Sequence, residues 1–513
     1  MGTEKSARKG RRGGREARKE LRTQALGEEE RPIRPGQIGG KYLPLGERDI
    51  AQIHEAVLTI LETVGIADPI PSCVEAITAI GGQMSDSGRV LFPRALVEDI
   101  IAKAARQFPL YGQDPQYDMH PWDQRVYFGT AGAAVHMVDV DERRYRESKL
   151  QDLYDIARVV DRCEHINFFQ RSIVCRDLED PRVLDINTLY ASISGTSKHV
   201  GTSWVEPQHV EEGLKMLHQI AGSEKKWRER PFVSMSNCFV VPPLKFATDA
   251  CRCLEAAVRG GMPVLLLAAG QAGATSPASL AGAVVQEMAE VLGGLVYVNA
   301  ISPSAPAMLG PWPFVSDLRT GAMSGGSGEQ ALLMAACAQM GNYYNLTTGV
   351  CAGMTDSKMP DAQSGHEKSY NYALVANAGA NLVYEAAGMH ASLLGFCLES
   401  VPIDNDAIGA VLRTLRGIET DAESLSLDVI ANVCLQGPGH FLGHDQTLAR
   451  MQKDYVYPQT GNRMSPKEWA ENDYPDLIET AKARVADILQ NHHPKHIDDM
   501  LREKLKTEYP IRI

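Results

Sequence analysis

The segment 347–368 has the sequence Thr-Thr-Gly-Val-Cys-Ala-Gly-Met-Thr-Asp-Ser-Lys-Met-Pro-Asp-Ala-Gln-Ser-Gly-His-Glu-Lys. Its first five residues alternate β-branched and small side chains, which is typical of a short buried strand. Gly353 and Pro360 interrupt the polar stretch that follows, and Asp361 stands at the N-cap of a helical pattern. A strand, a loop and a returning helix form the unit of a β/α barrel, which has its chemistry at this junction. A solvated turn with helix caps is the alternative.

The same order of strand, loop and helix recurs along the middle of the chain. The predicted strands cover residues 165–174, 198–205, 231–241, 262–269, 295–301, 347–351 and 381–387. An eighth strand would come from the β-rich region before Lys149 or from residues 397–401. We therefore predict an α/β fold, a (β/α)8 TIM barrel. An open doubly wound sheet is the alternative, but no Gly-x-Gly-x-x-Gly turn follows any of these strands.

Four regions are predicted along the chain. Residues 1–36 hold many Lys and Arg and little apolar surface, which indicates a disordered basic tail. Residues 37–148 form a mixed α+β N-terminal region packed on the barrel. Residues 149–400 form the bulk of the barrel, and residues 401–513 form a helical C-terminal extension.

Composition narrows the classes of function. The net charge of −12 argues against broad nucleic-acid binding, which requires a basic face. The ten Cys show no paired metal-ligand spacing, so we expect reduced thiols in a cytoplasmic protein. No apolar run approaches the roughly 20 residues that span a bilayer, so we expect no membrane association. His440 and His444 have a metal-like spacing, but the glycines and proline around them favour a capping loop, and we expect no metal.

Aromatic residues follow several predicted strands, whereas no Ser-His-Asp set and no phosphate-binding loop is found there. Trp204, Trp312 and Phe314 are among them. Aromatic rings around a pocket bind quaternary ammonium groups by cation–π attraction. Small residues at the same strand ends leave room for a large flat cofactor. The alternative is that the rings only plug the barrel mouth.

The sequence Thr355-Asp-Ser-Lys-Met-Pro-Asp-Ala-Gln-Ser-Gly-His-Glu-Lys resembles the T-D-S-K-x-P-D-x-Q-x-G-x-E-K signature of the trimethylamine methyltransferase family. The resemblance extends in order through segments 272–283, 313–322, 379–384 and 439–443. It implies a TIM barrel that moves a methyl group from a methylamine to the cobalt of a separate corrinoid protein.

One departure from the family matters for the substrate. The archaeal trimethylamine enzymes carry pyrrolysine shortly before the signature, whereas residues 349–354 here are all standard. The chain resembles the branch without pyrrolysine, whose members demethylate quaternary amines such as glycine betaine. A quaternary nitrogen already carries its charge, so a neutral amine can leave directly. The resemblance therefore implies a small methylated amine as substrate and a cognate corrinoid protein as partner, with no metal bound directly by this chain.

The candidate site residues follow from predicted loop positions within this family. Those assigned to an aromatic and weakly anionic cage are Trp204, Glu206, Trp312, Phe314 and Tyr384. Those assigned to a substrate carboxylate are Gln271, His390 and Lys358. The catalytic set is Glu206, Asp356 and Lys358, with an ion pair between Lys358 and Asp356 as a further option. We also expect a homo-oligomer.

Two other classes of function stay open. Lys358 could act as a Schiff-base amine in a barrel lyase or aldolase, although such a lysine is usually buried and distant from acids. The barrel could also bind betaines without catalysis, in which case no methyl acceptor would be used.

Overall fold

The computed structural model describes Gly27 and residues 30–513, and most of the predicted basic tail lies outside these residues. The described residues form two compact units. One unit holds residues 412–457 together with the described residues before Pro35. The other holds residues 35–411 and 458–513, and it contains the barrel.

Eight parallel strands form the barrel, as predicted. They are β1 (Arg125–Thr130), β2 (Phe168–Gln170), β3 (His199–Thr202), β4 (Val233–Met235), β5 (Val264–Ala268), β6 (Ala307–Pro311), β7 (Gly349–Cys351) and β8 (Leu382–Ala387). Each strand pairs in parallel with the next from β1 to β6, and β7 pairs with β8. A parallel bridge between Leu309 and Thr348 joins β6 to β7, and β8 pairs with β1. The sheet is therefore closed.

A helix follows each barrel strand. They are α1 (Leu150–Asp161), α2 (Pro181–Gly195), α3 (Pro207–Ala221), α4 (Thr248–Arg259), α5 (Leu280–Ile301), α6 (Gly328–Tyr344), α7 (Ala362–Ala378) and α8 (Ser400–Arg416). A short helix, Glu224–Glu229, follows α3. The start of α7 is set by Asp361, whose side chain accepts from the Ser364 amide, and its end by Gly379 at φ +81°.

The sixth strand differs from the prediction. Residues 295–301 were expected to be a strand, but they form the second half of α5, and the strand is Ala307–Pro311. Nearly every residue of α5 is buried, because helix Glu47–Thr63 packs on it in addition to the barrel. A helix that is covered on all sides has no polar face, so its sequence shows no helical period. Contrary to the expectation that no apolar run approaches the length of a membrane span, α5 is long and apolar enough for one, yet it is mostly buried inside the protein.

The N-terminal region contributes β1, which resolves the two options for the eighth strand. Strand Gln37–Ile38 pairs antiparallel with Arg125 and Val126 at the amino end of β1. The remaining elements of this region are helices Glu47–Thr63, Pro71–Ala79 and Arg94–Lys103, the 3-10 turn Pro115–Tyr117, and the hairpin of Gln83–Met84 with Val90–Leu91.

Two small sheets lie beyond the carboxyl ends of the barrel strands. One pairs Gln271–Ala272 after β5 with Phe314–Val315 after β6, which sets Gln271 beside Phe314. The other contains, in order, Met389–His390, Gly395–Phe396, His136–Asp139 and Arg144–Glu147. These sheets fix the loops that surround the barrel mouth.

The remaining elements are helical. In the unit with residues 412–457 they are Leu427–Leu435 and Asp445–Lys453. His444 is the N-cap of the second helix, and its Nδ1 accepts from the Gln446 amide. The last helices of the chain are Pro466–Glu471, Leu477–Asn491 and Asp499–Glu508.

Candidate functional site

A row of four aromatic rings crosses the interior of the barrel near its carboxyl end. The Tyr384 ring lies 4.8 Å from that of Phe168 and 5.5 Å from that of Trp312. Trp312 is 6.4 Å from Phe314, and its Nε1 donates to the Gly349 carbonyl at 3.0 Å. Side chains from alternate strands meet in this way only on the concave inner face of a barrel. The rings therefore form a wall inside the barrel.

Glycines on the intervening strands make room for this wall. A Cβ on Gly129 in β1 would collide with the Phe168 ring. A Cβ on Gly349 in β7 would lie 2.6 Å from the Tyr384 ring. Real Cβ atoms do not approach so closely. Gly129 therefore leaves the space that the Phe168 ring occupies, and Gly349 leaves the space that the Tyr384 ring occupies.

Glu385 lies directly after Tyr384 and is turned towards β1. Its φ is +60°, and the pairing of β8 with β1 shifts register between Val383 and Ala387. This bulge re-aims the side chain, which a regular strand would place on the opposite face from Tyr384. Its Oε2 accepts from the Gly132 amide at 2.9 Å. The side chain is only 2% exposed, and burial raises the pKa of Glu385 to about 8.

Gln170 lies beside Glu385, at the end of β2. A Cβ on Gly132 would be 2.8 Å from Glu385 Oε1 and 3.2 Å from Gln170 Cγ, so the two side chains share one face of Gly132. Gln170 Nε2 donates to Ser236 Oγ at 2.5 Å. Its Oε1 is buried and has no hydrogen-bond partner among the described residues. A buried polar atom without a protein partner is uncommon, and this oxygen can accept a hydrogen bond or a polarised C–H group.

Half-buried small and polar residues surround the mouth of the barrel and form its rim. Each follows a barrel strand: Gly132, Arg171, Ser203, Asn237, Ala269 and Gln271. Arg171 Nε has no hydrogen-bond partner within the described chain, and burial lowers the pKa of this side chain. The Asn237 amide hydrogen-bonds the main chain of Trp204, so the rim offers the Arg171 guanidinium and the Gln271 amide to a ligand.

Two buried glutamates of α5 anchor the loops after β4 and β5. Glu287 Oε1 accepts from the Gly270 amide, and Glu290 Oε1 accepts from the Leu244 amide, both at 2.7 Å. Burial raises the pKa of Glu290 to about 7, and burial together with the charge of Glu290 raises that of Glu287. These carboxyls hold the backbone near Gln271 without reaching the mouth themselves.

The family-like signature after β7 acts mainly through hydrogen bonds between loops. Glu367 Oε2 accepts from the Thr355 hydroxyl at 2.5 Å and from the Asp356 amide at 2.8 Å. The Asp356 carboxylate accepts from the hydroxyls of Ser324 and Ser392, each at 2.8 Å. The loops after β6, β7 and β8 are therefore tied together at Asp356.

Lys358 and Asp356 do not form the ion pair considered above. Lys358 is exposed, and its Nζ donates to the main-chain carbonyl of Asp356 at 2.6 Å. The Asp356 carboxylate is instead occupied by the two serines and the Gly326 amide. An exposed amine of this kind lacks the burial that a Schiff-base lysine requires.

Two of the predicted cage residues lie away from the wall. Trp204 packs against α3, where a Cβ on Gly213 would collide with its indole. Glu206 precedes α3, is 43% exposed at its side chain, and accepts from Gln208. The structure brings Trp312, Phe314 and Tyr384 together, and places Trp204 and Glu206 outside this group.

His390 and Gln271, predicted to contact a carboxylate, differ in accessibility. Gln271 is half-buried at the rim. His390 is fully buried, its Nε2 lies 2.7 Å from Ser400 Oγ, and burial lowers its pKa well below the usual value. A neutral imidazole in this position suits packing beneath the loop after β8.

Sequence reasoning did not single out Gln170, Arg171 or Glu385. Gln170 and Arg171 lie within a predicted strand that is otherwise largely apolar, so their polarity was an available signal. Glu385 follows an aromatic residue near a predicted strand end, but its direction depends on the bulge, for which the sequence carries no signal.

Replacing Asp356 by alanine should lower the free energy of unfolding by about 1–3 kcal/mol, because three donors lose their acceptor. Asp356→Asn should recover part of this loss, since its carboxamide oxygen can still accept. Urea denaturation measures both effects. Unchanged stability together with abolished activity would instead favour the catalytic role assigned to Asp356 from the sequence.

The chain is similar in sequence to known methyltransferases over most of its length. A model of the trimethylamine methyltransferase (MTTB) family matches residues 11–512. The trimethylamine methyltransferase MttB of Desulfitobacterium hafniense (strain DSM 10664 / DCB-2) is 30% identical over 462 residues, which are 90% of this chain and 92% of that protein. The glycine betaine methyltransferase of Desulfitobacterium hafniense (strain Y51) is 28% identical over 475 residues, 92% of this chain and 97% of that protein.

A solved structure also aligns with most of the chain. The monomethylamine methyltransferase (MtmB) of Methanosarcina barkeri is 12% identical, with a TM-score of 0.47. The alignment covers 88% of this chain and 96% of that protein.

Proposed function

Because the chain belongs to the trimethylamine methyltransferase family, we propose that it transfers a methyl group from a quaternary amine, with glycine betaine as first choice, to a corrinoid protein. The observation that carries the choice of a quaternary amine is the aromatic wall of Tyr384 and Trp312 inside the barrel mouth. Aromatic faces attract cations that cannot donate a strong hydrogen bond, and a quaternary ammonium is such a cation.

The rim supports a substrate that also carries a carboxylate. Arg171 has an unpartnered Nε, and Gln271 is half-buried at the same mouth with an amide donor. We assign Arg171 and Gln271 to the carboxylate of a betaine, because a guanidinium pairs well with that group. The carboxylate would then lie at the rim and the ammonium group at the wall.

The half-exposed rim is also compatible with a flat corrinoid presented by a partner. Gly132 and Ala269 have side chains too small to block the approach of such a group. The methyl carbon is taken up by Co(I) of the corrinoid, the electron pair of the broken C–N bond stays on nitrogen, and a neutral tertiary amine leaves. The task of this chain is to hold the methyl group in line with that bond, which is catalysis by proximity and orientation.

Methyl transfer from glycine betaine should exceed that from trimethylamine. Residues 349–354 contain no pyrrolysine that could activate a neutral or protonated amine. The measurement is the appearance of methylcobalamin absorbance after mixing the protein with reduced cobalamin and each amine in parallel.

Trimethylamine turnover equal to or above that of every betaine tested would contradict this proposal. Binding of betaines without any methyl transfer to reduced cobalamin or a corrinoid protein would indicate a binding barrel instead. Trapping of a carbonyl substrate on Lys358 by borohydride would indicate a lyase.

A further inference from the structure

Glu385 combines three features that are unfavourable for folding alone. It has a positive φ without being glycine, it interrupts the register of β8 with β1, and it buries a carboxyl group. Strained backbone and buried ionisable groups cluster at functional sites, where the surrounding structure maintains them. These features make the Glu385 carboxyl group a candidate for ligand binding.

Two acceptor atoms without donors among the described residues lie inside the barrel, Glu385 Oε1 against Gly132 and Gln170 Oε1 over Gly201. Glu385 Oε2 accepts from the Gly132 amide, whereas Oε1 has no donor in the described part of the chain. Gln170 Oε1 is likewise unpartnered. The orientation of the Gln170 amide follows from Ser236: its hydroxyl donates to the Thr202 carbonyl and so accepts from Gln170 Nε2. The carbonyl oxygen of Gln170 thus lies over Gly201 in β3, where a Cβ would collide with it.

These acceptors lie directly beside the aromatic wall. Tyr384 precedes Glu385 in β8, and Phe168 lies two residues before Gln170 on the same side of β2. Residues two apart on a strand are roughly 6–7 Å apart. The residues that carry the two oxygens therefore adjoin the two aromatic residues of the wall, Tyr384 and Phe168.

We propose that Glu385 and Gln170 bind the cationic nitrogen end of the substrate, with Glu385 as the counter-ion that selects quaternary ammonium groups over neutral ones. This assignment rests on the proposed function for the identity of the substrate. Two oxygens without donors attract the polarised methyl groups around a quaternary nitrogen, and a carboxylate adds charge attraction in a site of low dielectric. Glu385 is then the anionic residue of the cage, a role that the sequence analysis assigned to Glu206.

The burial of Glu385 is consistent with this role. Its raised pKa, about 8, keeps the carboxyl largely protonated at neutral pH while no cation is bound. A cation beside it favours the carboxylate, because an opposite charge stabilises the ionised form. The free protein thus avoids an uncompensated buried charge.

The test compares glycine betaine with its isostere 3,3-dimethylbutyrate, in which an uncharged carbon replaces the cationic nitrogen and the carboxylate is kept, by calorimetric titration without corrinoid. Glu385→Gln should weaken glycine betaine binding by roughly 10- to 100-fold and leave the isostere almost unchanged. Gln170→Met should change the ratio of the two affinities in the same direction but less. A merely structural role would weaken both ligands alike.

The matched control is Glu255→Gln. Glu255 is also buried and accepts from the Tyr297 hydroxyl at 2.6 Å, but it lies in α4 on the outside of the barrel. The Glu255→Gln substitution should leave the ratio of the affinities for glycine betaine and its isostere the same as in the unmodified protein. An unchanged ratio in Glu385→Gln, in a protein that still transfers methyl groups, would overturn the assignment. Selective betaine binding without methyl transfer would refute the proposed function and leave the role of Glu385 intact.

Discussion

Lys368→Met is expected to lower the free energy of unfolding by about 3–5 kcal/mol, because it leaves a buried carboxylate without its partner. Lys368 Nζ lies 2.7 Å from Asp404 Oδ2, and both side chains are 4% exposed. Asp404 Oδ2 also accepts from the Gly388 amide at 2.8 Å. The pair therefore joins α7, α8 and the loop after β8. Urea denaturation of the two proteins measures the loss.

The loss of unfolding free energy caused by Lys368→Met should increase as the pH rises. Burial raises the pKa of Asp404 even though Lys368 opposes the shift, so removing the lysine raises it further. A carboxyl with a higher pKa in the folded state holds its proton more tightly there than in the unfolded chain. Its contribution to stability is thus lost as pH rises from the unfolded value near 4 through the raised folded value.

Two further variants separate this effect from a general loss of packing. Adding Asp404→Asn to Lys368→Met should recover much of the stability, because the carboxamide still accepts from Gly388 and carries no charge. Lys103→Met removes an exposed pair with Asp99 and should cost only about 0–1 kcal/mol. If Lys368→Met costs no more than Lys103→Met, the buried pair does not stabilise the fold.

The elements best predicted from sequence are those with clear caps or a uniform environment. Helix α7 begins where the sequence indicated, because Asp361 caps it, and Ser327 caps α6 in the same way. The continuous apolar run 262–269 contains β5 because that strand is buried on both faces. The sixth strand was missed because α5 is equally apolar on all sides, and the prolines around residue 306 indicate a loop.

The sequence predicted where a site residue lies only when the type of its side chain determines that position. Large rings after strands, such as Trp312 and Phe314, line the mouth, because bulky residues at these places pack inward. Trp204 also follows a strand, yet it turns outward to fill the space beside Gly213. Whether a ring after a strand faces the barrel or a helix depends on a glycine elsewhere in the chain.

The signature sequence identified the family more clearly than it identified the chemistry. Glu367 and Asp361 hold the loop and the helix start, and Lys368 pairs with Asp404. A motif built from such contacts preserves the shape of a barrel mouth. The residues that face the proposed ligand, Glu385 and Gln170, lie on other strands, so a search confined to the motif misses them.

Trp312→Ala should have two separate consequences. The loss of a buried indole is expected to lower the free energy of unfolding by about 3–5 kcal/mol. Affinity for glycine betaine should fall by a further 0.5–2 kcal/mol, roughly the value of one cation–π contact, while affinity for the isostere 3,3-dimethylbutyrate is affected much less. Urea denaturation measures the first effect, and calorimetric titration at a temperature where the variant stays folded measures the second.

Trp227→Ala provides the matched control, because the two indoles have closely similar surroundings. Trp227 is fully buried, its Nε1 donates to the Gly260 carbonyl at 3.0 Å, and its ring lies 5.4 Å from that of Phe232. It lies in the helix Glu224–Glu229, outside the barrel wall. Its removal should cost similar stability and leave the preference for the cation unchanged. If both alanine variants lower the preference equally, the Trp312 ring supports the fold without recognising the charge, and the aromatic wall is a plug of the barrel mouth.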